Sequence, residues 1–135
     1  MKIVLDTNVF VSGVFFKGPP FQILQAWMEA IVQLVLSPDI LEEYHRVGEI
    51  LAEEHPAINF RPVLEFVIQN ATIYSVPQFP ERVCEDPDDD KFLACALASG
   101  SNLVVSGDKH LLAVSGYKRI TVLKPREFID KHLSQ

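Results

Sequence analysis

Short, fully apolar runs alternate along this chain with longer stretches in which apolar side chains return every third or fourth position. Lys2–Leu5 is an apolar run rich in β-branched residues that stops at Asp6, and it reads as a buried strand. Thr7 and Asn8 follow as natural helix N-caps. After the turn Gly18-Pro19-Pro20, Phe21, Ile23, Leu24, Trp27, Met28 and Ile31 fall at helical spacing, and Gln33–Leu36 supplies a second short strand. Ser37-Pro38 opens a helix that carries Ile40, Leu41, Tyr44, Val47 and Leu51 on one face, and Gly48 weakens it and suggests a kink. Residues 61–70 form another helix, 71–76 a strand and 77–84 a loop holding Pro77 and Pro80. The run Glu85-Asp86-Pro87-Asp88-Asp89-Asp90 opens a helix through about Ser99, which Gly100 ends. A strand at 102–106, a short helix from Gly107-Asp108, a last strand within 117–123 and a terminal helix over 124–133 complete the chain.

Strands that alternate with helices and are continuous apolar runs belong to a mostly parallel sheet covered on both faces, the α/β class. No linker composition interrupts the 135 residues, so one domain, 1–135, is expected. In such folds ligands gather beyond the carboxyl ends of the strands.

Composition narrows the function. With 48% apolar residues the chain can bury a core without a disulfide or metal staple, and no apolar run reaches the ~18 residues of a membrane span. An acidic residue arrives at position 6, too early for a secretory leader, which makes a cytoplasmic location the expectation. Cys84 and Cys95 lack the spacing of a zinc site and read as reduced thiols. The net charge of −6 is uneven: residues 1–99 carry 6 basic against 15 acidic side chains, and residues 100–135 carry 6 against 3. Coating nucleic acid by net charge alone is thereby disfavoured, whereas a local basic rim is not. Neither GxGxxG nor GxxxxGK[ST] occurs, nor a GxSxG elbow, nor HxH or HExxH. His45, His55, His110 and His132 accordingly read as structural or solvated, and Trp27 as core.

Four acidic positions stand out together. Asp6 ends the first strand, Glu43 lies on the helix opened by Ser37-Pro38, Asp90 sits in the first turns after the acidic run, and Asp108 follows the strand ending at Ser106. Any one of them has an ordinary explanation as a cap or a solvated helix face. Three of the four, however, fall at strand ends or helix starts on what should be one edge of the sheet. Carboxylates gathered there repel unless protons or a cation neutralise them, and hard oxygen ligands at a wet edge suit Mg²⁺ or Mn²⁺.

The same residues carry a resemblance. Residues 3–13 (IVLDTNVFVSG) resemble the opening of PIN domains, residues 37–44 (SPDILEEY) their second acidic motif, residues 86–98 (DPDDDKFLACALA) the third and residues 104–108 (VVSGD) the fourth. The group most similar is the prokaryotic PIN proteins of toxin–antitoxin pairs, VapC-like ribonucleases. The resemblance implies a three-layer α/β/α sandwich on a mostly parallel sheet. It also implies Mg²⁺- or Mn²⁺-dependent endoribonuclease activity that leaves 5′-phosphate and 3′-hydroxyl ends. Asp6, Glu43, Asp90 and Asp108 would then be the catalytic, metal-binding acids, with Asn8 and Ser106 as polar support. Glu43 is preferred over Glu42 because it precedes Tyr44. Asp90 is preferred over Asp88 and Asp89 because Phe92-Leu93-Ala94 follows it in the family register. RNA as substrate, an antitoxin protein as partner and a homodimer are further implications; a membrane is not. Gly48 and the stretch 49–60 depart from the family pattern, which leaves the wall of the substrate groove undefined.

Two other function classes compete. One is a PIN-like RNA-binding or scaffold module without catalysis. The other is a metal-dependent phosphatase, against which Asn8 stands where a DxDx[TV] motif would need its second Asp.

Overall fold

The computed structural model describes residues 1–76 and 83–133, so most of the loop expected over 77–84, with Pro77 and Pro80, lies outside the described residues. The apolar runs pair as strands and the periodic stretches coil between them. The order is β1 (Lys2–Leu5), α1 (Thr7–Phe15), α2 (Pro19–Met28), β2 (Gln33–Leu36), α3 (Pro38–Glu54), α4 (Phe60–Asn70) and β3 (Thr72–Ile73). A 3₁₀ turn at Pro87–Asp89 then leads into α5 (Asp90–Ser99), β4 (Leu103–Val105), α6 (Lys109–Ala113), β5 (Thr121–Leu123) and α7 (Pro125–Phe128). The strands form one sheet in the order β3-β2-β1-β4-β5, every neighbouring pair parallel. With helices flanking it, this is the expected α/β/α architecture.

Burial explains the strands. Ile3, Val4, Leu34, Val35, Leu36, Val104 and Val105 have no exposed surface, as strands covered on both faces require. The sheet core is continuous with Phe10, Ile23, Tyr44, Leu93 and Phe128 from the helices. No helix among the described residues is long and apolar enough to cross a membrane.

Several local expectations change. The strand expected over 71–76 shrinks to Thr72–Ile73. Its neighbour among the described residues, β2, ends at Leu36, where Ser37 turns away to cap α3, and Tyr74 N–H donates to Leu36 C=O beyond the paired residues. The strand expected within 117–123 starts only at Thr121, because Gly116, Lys118 and Arg119 all take positive φ and curl the preceding residues into a 3₁₀ turn. Asp6, rather than Thr7 or Asn8, caps α1. Finally, α3 runs through Gly48 without a break. The glycine is there because the buried Phe60 ring lies against it: a Cβ at position 48 would stand 2.1 Å from Phe60 Cζ.

Candidate metal centre

Parallel pairing decides what meets at the edge. Val4 and Leu5 are in register with Val104 and Val105, so Asp6 and Ser106 leave their strands side by side. The amide of Asp6 continues the ladder by donating to Val105 C=O at 3.1 Å. From there Ser106 Oγ donates to Asp6 Oδ2 and accepts the amide of Asp108 at 2.9 Å. One fully buried hydroxyl thus joins two of the expected acids. Asp6 Oδ1 also accepts the Val9 amide at 2.8 Å, closing the first turn of α1.

Glu43 reaches the same edge through its neighbour in sequence. Tyr44 is wholly buried, stacks on Phe10 with ring centroids 4.1 Å apart, and donates its hydroxyl to Leu5 C=O at 2.6 Å. This bond pins α3 to the last residue of β1 and leaves Glu43 facing Asp6. Both Glu43 oxygens are held, Oε2 by the Thr7 hydroxyl and Oε1 by Lys91 Nζ at 2.6 Å.

The acidic run presents a different residue from the one the motif register suggests. Asp90, largely buried, turns away and spends both carboxylate oxygens on backbone amides, Val83 at 3.0 Å and Cys84 at 2.7 Å. The 3₁₀ turn just before it rotates Asp89 toward the edge. A cavity of about 210 Å³ is lined there by Asp6, Thr7, Asn8, Glu43, Val47, Asp89, Phe92 and Asp108. The structure therefore brings Asp6, Glu43, Asp108 and Asn8 together, sets Ser106 beneath them, and places Asp89, not Asp90, in the cavity wall. Thr7 and Asp89 are lining residues that the motif reading passed over or ranked second. His110 was also passed over: its Nδ1 stands 3.7 Å from Asp108 Oδ1 and 4.0 Å from Asp89 Oδ2. The sequence signal available was the short step from Asp108 to His110 across a helix start, where the Asp108 carboxylate accepts the His110 amide at 2.7 Å.

The electrostatics follow from crowding. Burial raises the Asp6 carboxyl above its ordinary pKa against the bonds from Ser106 and Val9, and the charges of Asp108 and Glu43 add to the rise. Asp89 is pushed up to about 6 by burial first, then by Asp108 and Asp86, with His110 opposing. Burial works against the Lys91 ammonium, but its bonds to Glu43 and Asp88 outweigh this and hold it above the usual value. Among the buried side-chain nitrogens and oxygens of the described residues, Asp89 Oδ2 alone has no hydrogen-bond partner. A buried carboxylate oxygen without a donor is costly, and a cation is what relieves it. Four carboxylates line the cavity, and among the described residues Asp89, Asp108 and His110 bring ligand atoms within 4.8 Å of one another, a spacing that fits a divalent ion.

Comparison with known proteins agrees with this geometry. The family model described as PIN domain matches residues 2–110, four-fifths of the chain. An uncharacterized protein of Methanocaldococcus jannaschii is 29% identical over 146 aligned positions, covering 97% of this chain and 91% of its own length. PIN domains are in general metal-dependent nucleases.

Proposed function

The chain belongs to the PIN domain family, and from that premise we propose that it is a divalent-metal-dependent endoribonuclease whose centre is the cavity walled by Asp6, Glu43, Asp89 and Asp108. The observation that carries the reading is that these four carboxylates line one cavity, with Asp89 Oδ2 buried there without a hydrogen-bond donor. These carboxylates would hold Mg²⁺ or Mn²⁺, which would supply an activated water for attack at phosphorus and charge to offset the leaving oxygen. The protein's own part is to hold the ligands still. Ser106 fixes Asp6 and Asp108 relative to each other, and Thr7 and Lys91 fix Glu43 from both sides. Val47 and Phe92 give the cavity apolar walls. Beyond the Lys91–Glu43 pair lies a second hollow of about 360 Å³ lined by Asp39, Glu42, Arg46, Pro87, Asp88 and Lys91, in which both cations are paired with neighbouring acids.

The test is cleavage of single-stranded RNA by wild type and Asp6→Asn, with Mn²⁺ or with a chelator. Metal-dependent cleavage with 5′-phosphate ends, lost in the variant, is expected. Cleavage that survives both the variant and chelation overturns the reading. RNA binding without cleavage would favour the scaffold module, and hydrolysis of a small phosphate monoester alone would favour the phosphatase.

The toxin role is a finer proposal, supported by the likeness of the four motifs to VapC-like proteins. Growth arrest on expression, relieved by a protein encoded beside it, is its test. A homodimer and a cytoplasmic location complete the proposal and are checked by light scattering and fractionation.

A further inference from the structure

Asp89 Oδ2, the buried oxygen with no donor, faces an imidazole. Resting on the reading of this cavity as a metal centre, we propose that His110 is a further ligand of the centre. It binds through Nδ1 beside Asp89 and Asp108, and the nitrogen donor biases the site toward first-row transition ions over Mg²⁺.

Three observations lead there. The first is spacing. His110 Nδ1 is 3.7 Å from Asp108 Oδ1 and 4.0 Å from Asp89 Oδ2, and the three ligand atoms all lie within 4.8 Å of one another. Those separations exceed the ~2.7–3.2 Å of a hydrogen bond. The two His110 distances, 3.7 and 4.0 Å, fall within the ~4.2 Å that separates two donors on opposite sides of one ion with bonds of ~2.1 Å. The second is the other ring nitrogen. Nε2 stands 3.4 Å from the Glu85 carboxylate, on the side of the ring away from Nδ1. A carboxylate behind a ligating imidazole is the usual outer support of such a site. The third is the backbone. The bond from the His110 amide to Asp108 Oδ1 ties the two residues into one turn, so the ring is presented with the carboxylate and not as an independent surface group.

The consequence is a mixed nitrogen–oxygen donor set. Mg²⁺ demands near-ideal all-oxygen coordination and gives up water reluctantly, whereas imidazole suits transition ions. If His110 were only a protonated counter-ion for Asp89 and Asp108, the prediction would have the opposite sign, because removing it would deepen the negative potential and tighten every divalent ion.

The experiment is Mn²⁺ binding by titration calorimetry and pulsed electron paramagnetic resonance on wild type, His110→Gln and Glu85→Gln, with Mg²⁺ as competitor. Expected are ¹⁴N modulation on Mn²⁺ bound to wild type and its loss in His110→Gln. Mn²⁺ affinity should fall about ten- to hundredfold in His110→Gln and by a smaller factor in Glu85→Gln, with Mg²⁺ affinity changed less than about threefold. Equal or tighter Mn²⁺ binding by His110→Gln, or wild-type Mn²⁺ without nitrogen modulation, overturns the role of His110 and leaves the carboxylate centre standing. No Mn²⁺ binding by wild type overturns the centre itself, and His110 with it.

Discussion

Asp89 and Asp90 are adjacent, identical in chemistry and opposite in circumstance, so one substitution made at each position separates metal binding from folding. Asp90 accepts two backbone amides from its place at the start of α5. Asparagine keeps one acceptor and turns an NH₂ toward the other amide. Losing one charge-assisted bond and confronting two donors costs about 2–4 kcal/mol. Asp89 is the reverse case. Moving its carboxyl from 3.8 to about 6 corresponds to about 3 kcal/mol against the charged form if no solvent reached it, and the open side of the cavity discounts this to ~1 kcal/mol. Asp89→Asn should therefore leave the metal-free protein as stable as wild type or about 1 kcal/mol more stable, while weakening Mn²⁺ at least about tenfold and removing metal-dependent cleavage. Asp90→Asn should lower Tm by roughly 8–16 °C, at about 4 °C per kcal/mol for a chain of this size. Its residual folded fraction should still bind Mn²⁺. Urea denaturation and Mn²⁺ calorimetry on both variants read the outcome. An Asp90→Asn protein of wild-type stability that cannot bind Mn²⁺, beside an Asp89→Asn protein that can, would refute the assignment.

The acid pair also predicts a pH signature. Asp6 and Asp89 have folded pKa values above their unfolded ones, so their contribution to stability is fully present below about pH 4 and is lost as pH rises through about 6 for Asp89. A divalent ion needs the ionised carboxylates, so the Tm gain from Mn²⁺ in scanning fluorimetry should be small at pH 5 and several degrees at pH 7.5; an equal gain at both would contradict it. At Gly48 a methyl group meets the Phe60 ring at 2.1 Å, so Gly48→Ala should destabilise by about 1–3 kcal/mol in urea despite the ~1 kcal/mol that alanine gains in a helix. A stabilised variant would show that the ring moves aside freely.

The features legible in the sequence are those governed by local chemistry. Continuous apolar runs marked β1, β2 and β4, and Ser37-Pro38 marked the start of α3, where Ser37 does accept the Ile40 amide at 3.3 Å. Parallel order then makes the meeting of Asp6 with Asp108 a consequence of topology. Asp89 was not separable from Asp90 by this logic. The choice depends on which carboxylate finds the amides of Val83 and Cys84, partners that no periodicity reveals. Gly48 carried a signal that was read locally as a weak point, yet its cause is Phe60, twelve residues away. His110 carried only the short step from Asp108 as a signal, and that step acquires meaning only when Asp89 arrives from another part of the chain.

The hydroxyl of Ser106 touches a carboxylate made a hundred residues earlier. While the polypeptide is being synthesised, β1 has β2 available as a neighbour, but its other edge and the floor beneath Asp6 stay open until β4 has emerged. A prematurely terminated chain lacking residues beyond about 100 would thus carry the first acid without its clamp or its counterpart. The pocket can therefore be complete only after Ser106 and Asp108 have joined the growing chain.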